Sequence, residues 1–399
     1  MSTAFTGAEL RPLLQHRGAG SVSMFAPLHR GGPETRQDPI RLKNLLQQAE
    51  KQLVDLGFRR SEAAGRLDLV RPDFEAPASA RRDEAASLAA FVADAQPVVY
   101  HLPMTVAPVA VVGRRYHVKP LLPLVDEARE VYVLALSQNS VRLLEADRYG
   151  AREMELPDTP RSFAELAAFD QRERHVEFHT ETAAPGPNGG RPAMFHGQGV
   201  GSDEAVEKKR LLEYCHRINA GVCRAVGTRR RPLLLAAAEP LPGLYRRANT
   251  YPYLSEEVIA GNPDESDVRG LQAEAAKLLA AEFDRRLADA AARYRQAAGK
   301  GQGSTDLGDV LRAAHIDRID TAFVALDEHR WGRFDVDEGR MEVHPSQQPG
   351  DEDLLDLAAA RAALGGGTVH VVPRERMPED APVAVSYRFA LPGGAAGAT

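Results

Sequence analysis

The longest helical pattern in the sequence runs from Asp267 to Ala298. Its apolar residues recur at three- and four-residue spacing and form one stripe: Val268, Leu271, Ala275, Leu278, Phe283, Leu287, Ala290 and Tyr294. At about 1.5 Å per residue, such a helix is long enough to run from one domain into the next. The Gly-rich sequence from Gly299 to Ser304 follows it and predicts a hinge.

The size and composition of the chain agree with a soluble protein of several domains. A length of 399 residues predicts two or three domains. Apolar residues make up 43% and charged residues 27%, which argues against global disorder. The N-terminus has no basic-then-apolar signal region, and no apolar run approaches the roughly 20 residues that a bilayer requires. We therefore expect a cytoplasmic protein without a membrane partner.

Charge is distributed unevenly along the chain, whose net charge is −6. Residues 304–399 contain 17 acidic and 9 basic residues, whereas the first 303 contain 39 acidic and 41 basic ones. Phosphate repels an acidic module, so the C-terminal part is expected to bind protein. Any RNA contact is expected in the first two thirds of the chain.

The pattern of elements predicts a mixed α/β fold, with α+β character, in three domains. Residues 1–125 are predicted to form an N-terminal α/β domain. It would contain a strand, a polar loop, a Leu-rich helix that ends near Gly57, and two further strands. The strands and the loop are Val22–Leu28, His29–Pro39, Val98–Leu102 and Val109–Val112.

A middle domain is predicted over residues 126–298, including the long helix 267–298. Val131–Ser137 and Val141–Ala146 indicate a hairpin. Residues 180–202 are rich in Gly, Pro, Asn and Thr and predict a long, flexible, exposed loop. A helix, a buried strand and a Pro-containing connection are predicted to follow: Lys208–Val226, Pro232–Ala238 and Leu241–Tyr253.

The C-terminal domain is predicted over residues 304–390. Its helices and strands alternate, which favours an α/β/α sandwich. The predicted elements are Leu307–Ala314, Thr321–Leu326, Leu354–Ala363, Thr368–Val372 and Val383–Phe389. Residues 391–399 are expected to be a disordered tail.

No metal or cofactor is expected from the sequence. Cys215 and Cys223 have no His or Cys partner at zinc-like spacing and are interpreted as reduced, structural thiols. His175 and His179 enclose an alternating strand pattern and do not form a His-Glu-x-x-His helix. Three histidines near Trp331 are interpreted as packing residues: His315, His329 and His370.

Several motifs occur in a characteristic order along the chain. They include PLHRGGPETRQDPIRLKNLL at 27–46, VYVLALSQN from Val131, FHGQGVG from Phe195, and EDLLDLAAARAALGGGTVHVV from Glu352. In this order, the motifs make the chain similar to the bacterial archaeo-eukaryotic release factor (baeRF) family. These proteins are relatives of class-I peptide release factors, Pelota and ribosome hibernation factors. The resemblance covers roughly Val22 to Phe389.

This resemblance implies a division of labour among the three domains. The first would sit at the decoding centre of the small ribosomal subunit. The middle, release-factor-like domain would reach the peptidyl transferase centre. The third would contact ribosomal proteins or a translational GTPase, a role that its acidic charge favours. The Asn-Ile-Lys-Ser type motif of stop-codon readers is absent from the sequence, so codon reading is not expected.

Release factors of this superfamily carry a Gly-Gly-Gln tip on the middle domain. The matching residues here are His196, Gly197, Gln198 and Gly199, with His196 in place of the first glycine. A side chain at that position restricts the backbone, which puts ester hydrolysis by Gln198 in doubt. Three interpretations stay open: an inert surface loop, a contact with ribosomal RNA, and catalysis with Gln198 positioning water.

Basic residues of the middle domain are the remaining candidates for RNA contact. They form three groups, and the last two lie near Tyr245, Tyr251 and Tyr253, which could stack on bases. The alternative is an ordinary solvated charge run. The three groups are Lys208, Lys209 and Arg210; Arg229, Arg230 and Arg231; and Arg246 and Arg247.

Together these features favour a binding factor that occupies the ribosomal A site in rescue or hibernation. Its partners would be ribosomal RNA, ribosomal proteins and a translational GTPase. One alternative is a peptidyl-tRNA hydrolase that uses Gln198. Another is an RNA-binding or interaction protein that does not act on the ribosome.

Overall fold

The structure is a computed structural model that describes residues 3–5, 7–29, 33–76, 85–93, 97–127, 130–166 and 200–389. The chain divides into two compact units. Unit 1 combines residues 1–128 with 282–399, and unit 2 consists of residues 129–281. The predicted first and third domains therefore contribute to one compact unit, and each keeps its own sheet. The mixed α/β class is confirmed.

The N-terminal part of unit 1 contains one sheet and several helices. Its strands are β1 (Thr3–Ala4), β2 (Ser21–Pro27), β3 (Ser87–Val92), β4 (Val98–Leu102) and β5 (Val109–Gly113). Its helices are α1 (Gly7–Gln15), α2 (Asp38–Asp55), α3 (Arg60–Asp68), α4 (Arg71–Glu75) and α5 (Leu122–Glu127). The strand order is β1-β4-β3-β2-β5, and its neighbours are antiparallel except for β1 and β4.

One face of this sheet packs against α2, α3 and α4. Alternate residues of β2, such as Val22 and Met24, join Leu42 and Leu53 of α2 in a common core. The helix is amphipathic because its leucines recur at three- and four-residue spacing, as the sequence predicts. The opposite face carries aromatic side chains, including Phe25 and Phe91, whose ring centroids lie 5.7 Å apart.

Unit 2 is built on a mixed five-stranded sheet in the order β10-β9-β6-β7-β8. Its strands are β6 (Val131–Leu136), β7 (Val141–Ala146), β8 (Ala151–Met154), β9 (Leu233–Ala237) and β10 (Leu254–Ala260). Its helices are α6 (Val200–Val226), α7 (Leu241–Ala248) and the first part of α8 (Val268–Ala298). Strands β6, β9 and β10 are parallel, and β6, β7 and β8 are antiparallel.

Helices cover both faces of the unit 2 sheet. Tyr132 and Leu134 of β6 pack with Tyr214 and Ile218 of α6 on one face. On the other face, the intervening strand residues pack with α8, because side chains alternate along a strand. Burial on both faces explains why β6 and β9 are almost continuously apolar.

The C-terminal part of unit 1 has a four-stranded sheet in the order β11-β17-β12-β16 and a small sheet in the order β14-β13-β15. The strands are β11 (Gly303–Ser304), β12 (Ile319–Ala325), β13 (Trp331–Asp335), β14 (Arg340–His344), β15 (Glu352–Asp353), β16 (Thr368–Val372) and β17 (Val383–Tyr387). The helices are α9 (Leu307–His315) and α10 (Leu354–Leu364). The end of α8 packs on Phe323 and Ala384, while α9 and α10 also contact the four-stranded sheet. This layering is the predicted α/β/α sandwich.

Several sequence interpretations of secondary structure need correction. The predicted connection Leu241–Tyr253 contains helix α7; its Pro242 is tolerated because a first-turn residue needs no intrahelical N–H bond. The predicted loop 180–202 ends earlier, because α6 begins at Val200. Strands β13 and β14 were not predicted, because each is only five residues long and contains two charged residues. Strands β3, β8 and β10 and helices α1, α3 and α4 were not predicted either.

The predicted helix 267–298 is present as α8, Val268–Ala298. Its apolar stripe contributes Leu271 and Ala275 to the core of unit 2, and Phe283 and Leu287 to the core of unit 1. The predicted tail 391–399 lies outside the described residues. Among the described helices, none is long and apolar enough to cross a membrane.

Candidate nucleic-acid interface

The proposed tip residues His196, Gly197, Gln198 and Gly199 lie outside the described residues, as does the His175 and His179 pair. The structure resumes at the first residue of α6. Residues 205–210 of this helix are all exposed, including Val206, whereas burial begins at Leu211. Residues 205–210 are therefore solvent-accessible on every side of the helix, and they include Lys208, Lys209 and Arg210.

Arg229, Arg230 and Arg231 precede β9 and lie at the end of the unit 2 sheet where its parallel strands begin. We call this end the sheet edge. Strand registers align Tyr132, Leu233 and Leu254, so the N-terminal ends of β6, β9 and β10 meet there. Helix α7 connects two parallel neighbours and must return to this edge before β10 begins. Arg246 and Arg247, in its last turn, therefore lie at the same edge as Arg229, Arg230 and Arg231.

The Tyr251 hydroxyl links the segment before β10 to the backbone before β9 by hydrogen bonds. This hydroxyl lies 3.0 Å from the carbonyl oxygen of Arg229 and 2.6 Å from that of Arg231. The backbone N–H of Arg231 donates to the same hydroxyl at 3.2 Å. Tyr251 is 5% exposed, and Tyr245 is fully buried in the core. The prediction that these two rings stack on bases is wrong, because their faces are packed; Tyr253, at 39% exposure, is accessible.

The five arginines at this edge are not equivalent. Arg231 is half-buried and forms ion pairs with Glu130 and Glu145. Burial raises the pKa of Glu145, but hydrogen bonds from Arg152 and Arg231 outweigh it and lower the pKa overall. The Arg231 guanidinium therefore already pairs with carboxylates of the protein.

Arg246 is exposed, and its guanidinium donates to the carbonyl oxygen of Glu256. Arg229, Arg230 and Arg247 are exposed as well. These cations flank the C-terminal ends of α6 and α7, where positive charge is favourable for the helix dipole. The exposed arginines can still contact phosphate, because their charged ends are in solvent.

Unit 2 also contains a groove of about 740 Å³ that was not predicted from the sequence. The turn after β6, strand β8 and the segment that follows it line this groove. Its charged lining residues are Arg142, Glu153, Glu155 and Arg161. The VYVLALSQN motif ends here. Asp264 accepts hydrogen bonds from the Ser137 hydroxyl at 2.8 Å and the Asn139 amide at 3.2 Å.

Unit 1 contains a cluster of charged and histidine side chains that was not predicted from the sequence either. Arg115, His117 and Lys119 lie after β5 and are buried. Arg115 pairs with Asp356 and, at 2.8 Å, with Glu352. These contacts join the N-terminal and C-terminal parts of unit 1. We refer to Arg115, His117, Lys119, His329, Glu352, Asp353 and Asp356 as the buried cluster.

Comparison with known proteins gives one family match. Residues 131–281 match the model of bacterial archaeo-eukaryotic release factor family 7. This segment corresponds closely to unit 2 and includes the exposed cations of α6 and of the sheet edge. No curated protein matches the chain.

Solved structures of low identity align with most of the chain. An archaeal translation termination factor, aRF1, is 14% identical, with 97% of this chain and 99% of that chain covered and a TM-score of 0.23. Pelota from Archaeoglobus fulgidus is 13% identical, with 98% and 94% covered and a TM-score of 0.32. Dom34 from S. cerevisiae is 8% identical, with 75% and 76% covered and a TM-score of 0.35.

The family match depends on the sequence of unit 2. The resemblance to the bacterial archaeo-eukaryotic release factors is confirmed by the family 7 match over residues 131–281.

Proposed function

We propose that the protein is a ribosome-binding translation factor that occupies the A site in rescue or hibernation, without reading a stop codon. The observation that carries this proposal is the family match over unit 2, the same segment that bears the exposed cations. Lys208, Lys209 and Arg210 lie within this segment, shortly after the Gln198 region. Electrostatic contact with ribosomal RNA is the chemistry that such groups supply.

The acidic residues 304–399 fit a protein partner better than RNA, and we propose a ribosomal protein or a translational GTPase for them. We also propose the three-domain division of labour: residues 1–125 at the decoding centre, 126–298 toward the peptidyl transferase centre, and 304–390 toward the protein partner. Such a factor acts in the cytoplasm.

Co-sedimentation with 70S ribosomes tests the proposal. The full chain is mixed with vacant ribosomes and with ribosomes stalled on a message without a stop codon. Binding at moderate salt is expected, and it should weaken when Lys208, Lys209 and Arg210 are replaced by alanine. Binding to structured RNA but not to ribosomes would instead support an RNA-binding protein that acts elsewhere.

The Gly197-Gln198-Gly199 sequence favours a second candidate function, hydrolysis of peptidyl-tRNA. Release of labelled peptide from loaded ribosomes distinguishes it from binding alone. A hydrolase would release peptide in a reaction that Gln198→Ala slows while ribosome binding is retained. The binding proposal expects no release by either protein.

A further inference from the structure

His117 in the buried cluster is a polar side chain without a hydrogen-bond partner among the described residues. Its side chain is 2% exposed, and neither Nδ1 nor Nε2 makes a hydrogen bond. Nδ1 lies 3.5 Å from Asp356 Oδ1, beyond a good hydrogen bond. Buried polar atoms in proteins nearly always have a partner, so this imidazole requires an explanation.

Two further potential metal ligands lie beside His117. Within the described residues, His117, His329 and Asp353 each offer one donor atom, and these atoms lie within 4.8 Å of one another. His329 Nδ1 and Asp353 Oδ2 are 2.8 Å apart. Tetrahedral zinc with bonds of about 2.0–2.1 Å holds its ligands about 3.3 Å apart, so shifts of the order of an ångström would assemble the set.

The surroundings of His117 agree with a role as a ligand. The carboxylate of Asp356 near Nδ1 resembles the outer partner that commonly orients a metal-binding histidine. His329 is 31% exposed, which gives an ion access from solvent.

The buried cluster contains more carboxylates than cationic side chains, which favours the binding of a cation. Three carboxylates, Asp353, Asp356 and Glu352, oppose the two cationic side chains Arg115 and Lys119. Lys119 Nζ lies 2.9 Å from Asp353 Oδ2 and competes for that oxygen. A bound ion must share Asp353 with this ammonium group, so its affinity should be lower than that of an uncontested site.

We propose that the buried cluster binds one divalent transition-metal ion of the zinc class through His117, His329 and Asp353, with water completing the coordination. The donor set of two imidazoles and one carboxylate is one that zinc uses. The ligands come from both sequence parts of unit 1. Metal binding should therefore stabilise the contact between residues 115–119 and 328–356.

The test is zinc retention by the full chain after chelator treatment, addition of several equivalents of Zn²⁺, and desalting. One zinc per chain is expected. His329→Gln removes a ligand and should lower the zinc affinity by more than the roughly tenfold that the loss of an outer partner costs. His344→Gln is the matched control, because His344 Nδ1 also lies 2.8 Å from an aspartate oxygen, that of Asp351, but belongs to no group of three donors among the described residues.

His117→Gln should also lose zinc, but this side chain is buried and its replacement could impair folding. His329→Gln therefore decides the result, with circular dichroism to verify that it is folded. Cobalt provides a second readout, since tetrahedral Co²⁺ should give visible absorption bands that His329→Gln abolishes. A wild-type chain that retains no zinc, or a folded His329→Gln chain that retains as much as wild type, would overturn the proposal.

Discussion

Lys119 Nζ lies 2.9 Å from Asp353 Oδ2, and neither side chain is exposed to solvent. Lys119 also donates to the backbone carbonyl oxygen of Glu328. Asp353 accepts hydrogen bonds from the backbone N–H groups of Arg330 and Leu355 at 3.1 Å and caps the N-terminus of α10. The pair thus links the segment after β5 to the start of a C-terminal helix.

Lys119→Met should lower the free energy of unfolding of unit 1 by about 3–5 kcal/mol, because it leaves a buried carboxylate without its cation. Urea denaturation followed by circular dichroism measures this loss. Lys277→Met is the control: Lys277 pairs with Glu274 at 2.6 Å, but both side chains are at least half exposed. Its cost should stay below about 1 kcal/mol. Equal costs would show that Lys119 is not buried as described.

Thiol reactivity should separate the two cysteines. Cys215 is fully buried, and burial raises the pKa of its thiol to about 12, whereas Cys223 is half-buried. A chromogenic disulfide reagent at pH 8 should modify only one thiol rapidly in the native protein, and Cys223→Ser should abolish this reaction. Rapid reaction of both thiols before urea is added would contradict the packing of α6.

Burial of the same thiol predicts that the folded state loses stability at alkaline pH. Folding raises the pKa of the Cys215 thiol above its ordinary value of 9.0, so the neutral thiol contributes its full stabilisation of the folded state below about pH 9. It should be lost as pH rises toward about 12, because the unfolded chain ionises first. Urea midpoints measured from pH 8 upward should fall less steeply in Cys215→Ala than in wild type.

Gly221→Ala should destabilise unit 2, although alanine normally favours a helix. A Cβ atom at position 221 would collide with Thr159 Oγ1 and lie 3.0 Å from Thr159 Cβ. We expect a loss of about 1–3 kcal/mol in urea denaturation. Adding Thr159→Gly should recover most of it. Gly65→Ala on α3 meets no atom within 4 Å and should be neutral or stabilising; the same loss at both sites would refute the contact.

The cations of α6 should determine the salt dependence of RNA binding. Replacing Lys208, Lys209 and Arg210 by alanine should reduce the slope of log affinity against log salt concentration by about two. Filter binding to ribosomal RNA at several salt concentrations measures the slope. The exposed pair Arg269 and Lys277 on α8 provides the control, and alanine there should leave the slope nearly unchanged. A similar decrease in both variants would indicate non-specific charge attraction.

Much of the secondary structure could be predicted from the sequence. The three- and four-residue spacing of apolar side chains predicts α2 and α8, and residues 208–226 of α6 are also predicted to be helical. Apolar runs and turn residues predict β6, β7 and β9. These elements depend on local side-chain patterns, so a single segment contains the required information. The hairpin of β13 and β14 was not predicted, because each strand is only five residues long and contains two charged residues.

The sequence also determined where positive charge lies, but only the tertiary structure decided which arginines are available. Arg230 and Arg231 are neighbours in the chain, yet Arg231 is committed to Glu130 and Glu145. In the same way, Tyr245 and Tyr253 look equivalent in sequence, but one is buried and the other is accessible. Burial and ion pairing depend on distant segments, so the local sequence does not reveal them.

The long helix α8 and the buried cluster mark the two limits of what the sequence determined. The helix follows from its own periodicity, whereas Lys119 and Asp353 resemble ordinary surface charges until the fold brings them together. The sequence alone determined the mixed α/β elements and the charge asymmetry of the chain. The tertiary structure decided that its N-terminal and C-terminal parts form one unit, because only contacts between distant residues remove charged side chains from water.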